Sequence, residues 1–494
     1  MCGIVAQHGS VDEAACRRML GRLEHRGPDD EGTARVAGGW LGHRRLSIVD
    51  LESGAQPLTT PDEGAAMVGN GEIYNHERVR ARLGDRPYAT GSDNEAALHA
   101  ILARGDEGLR ELEGMYAVVV ATRDGGFLAA RDPVGIKPLY WAERDGAVTF
   151  ASELKAFEPR MRPAVRAFPP GHAWTPRGGL RQFAAPAEAP ACAAPRDREE
   201  LLAAIRDTLV RAVEDQMMGD VPVGVFLSGG LDSSIVAAIA ARWCRAHGTR
   251  LQTFAVGVGR SSDLLAARAV ARHLDTDHHE ATCSPEETAA LVPEVVRTIE
   301  HFDPELVRSA VPNFLLARHT AAHVKVVLTG EGADELFAGY DHVGEISDPE
   351  ALHGELTRSV AGLHNLNLQR CDRVTMAHGL EARVPFLDER VIALALGIDP
   401  ALKLRREGEM EKQLLREAFD GWLPADVLWR RKVQFGDGSG SAAVLRSAPG
   451  EAEPPAAVGG RVPRTREEER YLRVWDAAYG GIDPDATLSH SVTC

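Results

Sequence analysis

The chain has 494 residues, 44% of them hydrophobic and 26% charged, which suits two or three domains of ordinary globular composition. Lys and Arg number 56 against 72 Asp and Glu, and the formal net charge of −16 argues against non-specific binding to nucleic acid or to an anionic membrane surface. No basic segment leads into an apolar run at the start, and no apolar stretch approaches ~20 residues, so neither export nor membrane spanning is expected and a cytoplasmic location is.

The first ~180 residues read as β-rich, with short apolar or alternating runs at Gly39–Gly42, Ala66–Val68, Met115–Thr122, Gly126–Ala130 and Ala147–Phe150. Helical spacing interrupts them over Asp12–Leu23 and over Asp93–Ala103, the second after a Gly-Ser start signal. Ala184–Pro195 is Ala/Pro-rich without periodicity and reads as a linker. Beyond it, helices are predicted over Asp197–Met217, Ser233–His247 and Leu264–His273, and strands over Val221–Phe226, Gln252–Val258 and Val324–Leu328. Such alternation implies a parallel sheet covered on both faces, with ligands bound beyond the carboxyl ends of its strands. The Gly-bearing segments Ser228–Ser234, Gly257–Ser262 and Thr329–Gly332 fall there. Pro449–Val462 reads as flexible, and a helix over Arg466–Ala478 follows. The domains expected are therefore 2–183, a linker at 184–196, 197–447, and a flexible segment, helix and tail at 448–494. The seven cysteines, Cys2, Cys16, Cys192, Cys244, Cys283, Cys371 and Cys494, form no CxxC pair, so reduced thiols are expected.

Six of those cysteines read as packing or surface residues, and Cys2 is the exception. Met1-Cys2-Gly3 suits removal of the initiator Met, which leaves Cys2 with a thiol and a free α-amine. An α-amine has a reference pKa of about 8 and can act as general base for its own thiol, directly or through one water. Around it stand Glu24-His25-Arg26-Gly27-Pro28-Asp29, Gly42-His43-Arg44-Arg45-Leu46-Ser47-Ile48-Val49-Asp50, Asn70-Gly71-Glu72-Ile73-Tyr74-Asn75, Gly91-Ser92-Asp93, Arg131–Tyr140 and Ala151-Ser152-Glu153-Leu154-Lys155. Taken alone, Asn70-Gly71 also fits a type I′ hairpin turn.

In order and spacing these segments resemble the N-terminal-nucleophile glutaminase domain of class II glutamine amidotransferases. The resemblance implies that Cys2 attacks glutamine and that the Asn70 side chain and Gly71 N–H form the oxyanion hole. It also implies that Arg45 holds the glutamine carboxylate and Asp93 its ammonium, with Leu46, Ser47, Ile48, Val49 and Glu72 completing the pocket.

Leu227-Ser228-Gly229-Gly230-Leu231-Asp232-Ser233-Ser234 lies between a predicted strand and helix, where glycine backbone and serine hydroxyls can approach phosphate oxygens. It is not a GxxxxGK[ST] site. With Thr329–Tyr340, Glu381–Asp388 and Trp429–Gly438, it resembles the synthetase domain of bacterial-type, glutamine-hydrolysing asparagine synthetases, an N-type ATP pyrophosphatase. The likeness covers roughly residues 2–445, with a weaker echo in Arg464–Tyr479. It implies an α+β glutaminase domain of antiparallel sheets layered with helices, followed by an α/β parallel-sheet pyrophosphatase domain. ATP would lie on Leu227, Ser228, Gly229, Gly230, Asp232, Ser233, Ser234, Val256, Thr329, Gly330 and Asp334, with Mg2+ on Asp232 and Asp334. Lys432 would neutralise charge on the α-phosphate, and Glu331 would take a proton from ammonium. Arg308, Glu331 and Arg383 would bind the acceptor. Glu305 and Leu306 stand where enteric-type members carry two threonines, a change disfavouring aspartate if both side chains point inward. Aspartate is the favoured acceptor and another carboxylate the alternative. Glutamine, ATP and the acceptor are the expected partners, without nucleic acid or membrane, and a homodimer is an open assembly.

Overall fold

In the computed structural model, residues 2–62, 64–186, 194–258, 261–433, 435–446 and 455–489 are described. The N-terminal half is built on two six-stranded antiparallel sheets. One runs, in spatial order, Val165–Ala167, Tyr140–Arg144, Ala147–Ala151, Gly3–Gly9, Gly39–Arg45, Asp30–Val36; the other Gly179–Gln182, His172–Thr175, Phe127–Arg131, Gly114–Thr122, Ala65–Ile73, Leu58–Thr59. Period-two alternation explains their packing. Ile4 and Ala6 face the second sheet together with Val68, Ala117 and Val119, whereas Val5 faces outward to Cys16, Met19 and Leu20 of the helix Glu13–Gly21. Met67, Val118 and Val120 face the other way, against Ala97 and Leu98 of the helix Asp93–Arg104. Both halves of each alternation are buried, giving helix, sheet, sheet and helix in layers.

The C-terminal half carries a five-stranded sheet in the order Asp277–Cys283, Gln252–Val258, Val223–Phe226, Val326–Leu328, Glu381–Arg383, with every pair parallel. Its inner strands are almost wholly apolar because helices cover both faces. Arg198–Asp215, Leu231–Ala246 and Ser262–Leu274 contribute to one face, Pro304–Thr320 and Asn367–Met376 to the other. Strand order reverses at Val223–Phe226, so the loop that leaves this strand opens at a topological switch point.

Most expected elements are present, with boundaries displaced by one to several residues. Two strands of the C-terminal sheet escaped the sequence pattern. Asp277–Cys283 is a polar edge strand, and Glu381–Arg383 carries two charges that are fully buried. Asn70 and Gly71 do not form a hairpin turn. They lie inside the strand Ala65–Ile73, opposite Ala117 and Tyr116. Residues 187–193 of the expected linker, with Cys192, lie outside the described residues, as do 449–454 of the expected flexible segment, and Cys494. No described helix is long and apolar enough to cross a membrane.

A shared core joins the halves: Val5 and Trp40 belong to the same cluster as Phe302, Val307 and Trp475. A buried ionic network lies beside it. Arg26 meets Glu153 at 2.6 Å and Asp372 at 2.8 Å, and Arg373 meets Asp372 at 2.9 Å and Glu300 at 3.1 Å. Removing one partner from such a network leaves a buried charge uncompensated, so these residues fix how the halves sit together.

Candidate active sites

The first candidate site grows from the strand Gly3–Gly9, which is central in its sheet and starts immediately after Cys2. The backbone N–H of Cys2 donates to Asn70 Oδ1 at 2.9 Å, and Arg26 Nε donates to the Cys2 carbonyl at 2.9 Å. These bonds tie Cys2 to the second sheet and to the interdomain network. Burial pushes the Cys2 thiol above its ordinary value, while a Leu46 backbone N–H and the Arg45 guanidinium pull it down. With Asn70 Oδ1 held, Asn70 Nδ2 is left buried without a hydrogen-bond partner among the described residues. A buried orphan donor beside a thiol calls for an explanation, and a charge that appears only during reaction supplies one.

Gly71 has φ 140°, and a Cβ there would lie 1.8 Å from the Met115 carbonyl oxygen, so only glycine fits. Asn94 Nδ2 donates to the Gly71 carbonyl at 3.0 Å. Asp93 accepts from the Ile73 N–H at 2.7 Å and from Asn94 Nδ2 at 3.1 Å; burial nevertheless raises its carboxyl above the usual range. Arg45 ends its strand with the guanidinium 2.5 Å from the Asp50 carbonyl and 3.4 Å from those of Val49 and Leu51. Leu46 and Ile48 are buried against Val326 and Met376 of the second half. Ser47 N–H donates to Asp29, which pairs with Lys325 at 2.7 Å. Glu72 is buried; burial, then Glu381 and Asp93, raise its carboxyl well above the ordinary value.

The second candidate site opens beyond the strand Val223–Phe226. Leu227 and Val256 are buried. Gly229 has φ 74°, and a Cβ would lie 2.5 Å from the Ala266 Cβ, so this turn packs backbone against helix. Ser228 and Ser233 hydroxyls lie 3.0 Å apart, Gly230 N–H donates to Ser228 Oγ at 3.3 Å, and the Ser234 hydroxyl is buried without a partner among the described residues. Gly330 packs directly on Asp232, where a Cβ would come within 2.9 Å of the Asp232 Cβ. Thr329 N–H donates to the Arg383 carbonyl at 2.9 Å.

Four charges converge here. Lys412 Nζ lies 2.5 Å from Asp232 and 2.7 Å from Asp334, and Lys432 Nζ lies 2.6 Å from Asp334. Lys432 also donates to the Gly339 carbonyl at 3.0 Å and sits 4.4 Å from the Tyr340 ring centroid. Burial would raise Asp334, but Lys412 and Lys432 hold it below the usual carboxylate range. Burial raises Asp232 against the pull of Lys412, and its Oδ1 has no hydrogen-bond partner among the described residues. Glu335 accepts from the Tyr340 hydroxyl at 2.5 Å, and burial lifts it to about 7.

The expected acceptor residues do not all meet. Glu331 pairs with Arg370, whose other arm donates to Ser309 Oγ at 2.8 Å, next to Arg308 in the helix Pro304–Thr320. Arg383 turns away. Its guanidinium lies 2.6 Å from Glu381 and from the Gln216 and Met218 carbonyls, on the side of Glu72 and Tyr74. Its charge is balanced by Glu381 at the interface between the halves, away from Glu331 and Arg308. Leu306 does not point into a pocket either; it packs with Phe302, Phe314 and Trp475. The Leu306→Thr variant is thus expected to lose about 2–4 kcal/mol of stability rather than gain aspartate use, readable as a lower thermal midpoint.

Sequence reading passed over Lys412, Arg370 and Asp372. Lys412 lies 180 positions from Asp232 and in no motif, and only the fold brings them together. Arg370 and Asp372 sit on one helix, Asn367–Met376, which touches Glu331 at one position and Arg26, hence Cys2, at another.

Comparison with known proteins finds two family models that match the chain. A glutamine amidotransferase domain family matches residues 1–168, and an asparagine synthase family matches residues 204–348 and 344–451. Asparagine synthetase (glutamine-hydrolyzing) 3 of Arabidopsis thaliana is 41% identical over 462 residues, covering 89% of this chain and 79% of its own. A probable asparagine synthetase (glutamine-hydrolyzing) of Dictyostelium discoideum is 38% identical over 529 residues, covering 97% and 94%. The Asparagus officinalis asparagine synthetase (glutamine-hydrolyzing) is 40% identical over 464 residues, covering 89% and 78%.

Proposed function

Since this chain belongs to the glutamine-hydrolysing asparagine synthetases, we propose that it converts aspartate to asparagine with ATP and glutamine, as a carbon–nitrogen ligase, through the following division of labour. Once Met1 is removed, the α-amine of Cys2 takes the thiol proton and the thiolate attacks the glutamine amide carbon. The oxyanion is received by Asn70 Nδ2 and Gly71 N–H. Collapse, with the α-ammonium of Cys2 returning its proton to the departing nitrogen, releases ammonia and leaves a glutamyl thioester, which water hydrolyses to glutamate. Arg45 and Asp93 hold the two charges of the amino-acid head, with Leu46, Ser47, Ile48, Val49 and Glu72 around them. The orphan Asn70 Nδ2, buried beside Cys2, is the observation that carries this half.

In the second half, ATP lies on the Leu227–Ser234 loop, Val256 and Thr329–Gly330. The aspartate β-carboxylate attacks the α-phosphorus, pyrophosphate leaves, and Lys432 neutralises the charge that builds on the phosphate oxygens. Glu331 takes a proton from the incoming nitrogen, ammonia attacks the acyl carbon, and AMP leaves. Asp232 and Asp334 suit a Mg2+ ion: Asp232 Oδ1 is buried and unpartnered, and Mg2+ is commonly held by one or two carboxylates plus substrate phosphates. Bound there, Mg2+ would shield the charge of the departing pyrophosphate. Lys412 bridges the two carboxylates and keeps them close.

ATP–pyrophosphate exchange tests the acceptor. Exchange is expected with aspartate and at least tenfold less with malate, succinate or glutamate. Exchange driven by one of those acids in preference to aspartate would refute the reading.

A further inference from the structure

The C-terminal helix Arg466–Tyr479 belongs to neither catalytic constellation, yet its first turn reaches the acceptor segment. Glu467, whose side chain is 2% exposed, meets the Arg308 guanidinium edge-on: Nε donates to Oε1 at 3.1 Å, and Nη2 donates to Oε2. The Tyr471 hydroxyl, one turn further, donates to the same Oε1 at 2.8 Å and fixes the carboxylate. Arg464 meets Asp303 at 3.3 Å, and Asp303 caps the helix that carries Arg308 by accepting from the Glu305 and Leu306 N–H groups. Trp475 donates to the Glu300 carbonyl at 2.9 Å. The tail thus holds the start of this helix at Arg308 and Asp303, and the segment leading into it at Glu300.

What this leaves of Arg308 is specific. Nη1 makes no hydrogen bond among the described residues, and a fifth of the side chain remains exposed. Arginine is long and loses much rotamer freedom when a substrate alone must order it. A fork-to-fork carboxylate removes that cost beforehand and sets the plane of the guanidinium. It also cancels the positive charge, so anions gain little from general attraction and must satisfy the directional donors that remain.

We propose that Glu467 is a positioning residue for the acceptor: it locks Arg308 with the Nη1 edge turned to the acceptor carboxylate, and the C-terminal helix forms a wall of that pocket. This rests on Arg308 being an acceptor ligand, the role that the family resemblance of its segment implies. The next residue, Ser309, connects the same helix through Arg370 to Glu331, so the locked segment also borders the base that takes a proton from the incoming nitrogen.

Synthesis from added ammonium isolates this pocket from glutamine hydrolysis. In Glu467→Gln the KM for aspartate is expected to rise about tenfold, with kcat within about twofold and the KM for ATP unchanged. Glu467→Asp keeps the charge and is expected to restore part of the loss. Tyr471→Phe removes only the hydroxyl that orients Glu467 and preserves the packing; the aspartate KM is expected to rise about threefold, which provides a readout if Glu467→Gln fails to fold. An unchanged aspartate KM in folded Glu467→Gln or in Tyr471→Phe would overturn the proposal, and so would an equal rise in the KM values of aspartate and ATP. A wild-type enzyme with no aspartate-dependent exchange would instead overturn the assignment of the acceptor.

Discussion

Cys2→Ala should remove glutamine-dependent asparagine synthesis to below about a thousandth of the wild-type rate, because no other group can form the thioester. Synthesis from ammonium should stay within about twofold, since every residue proposed for the second reaction lies elsewhere. The comparison is clean for a physical reason. The Cys2 main chain, not its side chain, makes the bonds to Asn70 and Arg26, so alanine leaves the contacts between the halves intact. Side-by-side assays with glutamine and with ammonium, on the same preparation, read the result. Loss of both activities would mean that the two reactions are not carried by separate sites.

The two sites were legible in the sequence to different depths, and for different reasons. The glutaminase pocket is assembled from short runs in which function and local backbone coincide. Asn70 and Gly71 are adjacent, and the strand that holds them also sets Gly71 in a conformation that only glycine adopts without strain. The Leu227–Ser234 loop was legible on the same ground, because the turn from Val223–Phe226 into the next helix is made by consecutive residues. Charge pairing across the fold was not legible. Arg383 stood in a segment that pointed to the acceptor, yet its partner is Glu381, two residues away on a buried strand. Lys412 had no local pattern at all. The substitution at Leu306 looked like a change in substrate recognition, but helix geometry turns that side chain into the core shared by both halves. Periodicity reveals which face of an element is buried, and it does not reveal which distant carboxylate completes a buried cation.

Lys432→Ala should lower aspartate-dependent ATP–pyrophosphate exchange by about a hundredfold to a thousandfold, the usual cost of removing a group that stabilises developing charge. Glutamine hydrolysis should continue, so glutamate would accumulate without matching asparagine. The contrast with Lys412 sharpens this expectation. Lys432 is 20% exposed in its side chain and touches one carboxylate, whereas Lys412 is 3% exposed and bridges two. Lys432 is therefore free to exchange Asp334 for a phosphate oxygen without leaving a deeply buried charge behind. Removing Lys412 strands Asp232 and Asp334 against each other in the interior, and Lys412→Ala should cost about 3–5 kcal/mol of stability in addition to activity. Thermal unfolding separates the two variants: an unchanged midpoint with lost exchange is expected for Lys432→Ala, and a lowered midpoint for Lys412→Ala. Should Lys432→Ala retain full exchange, the charge on the α-phosphate must be met by Lys412 instead, and the two lysines would have to trade the roles given them here.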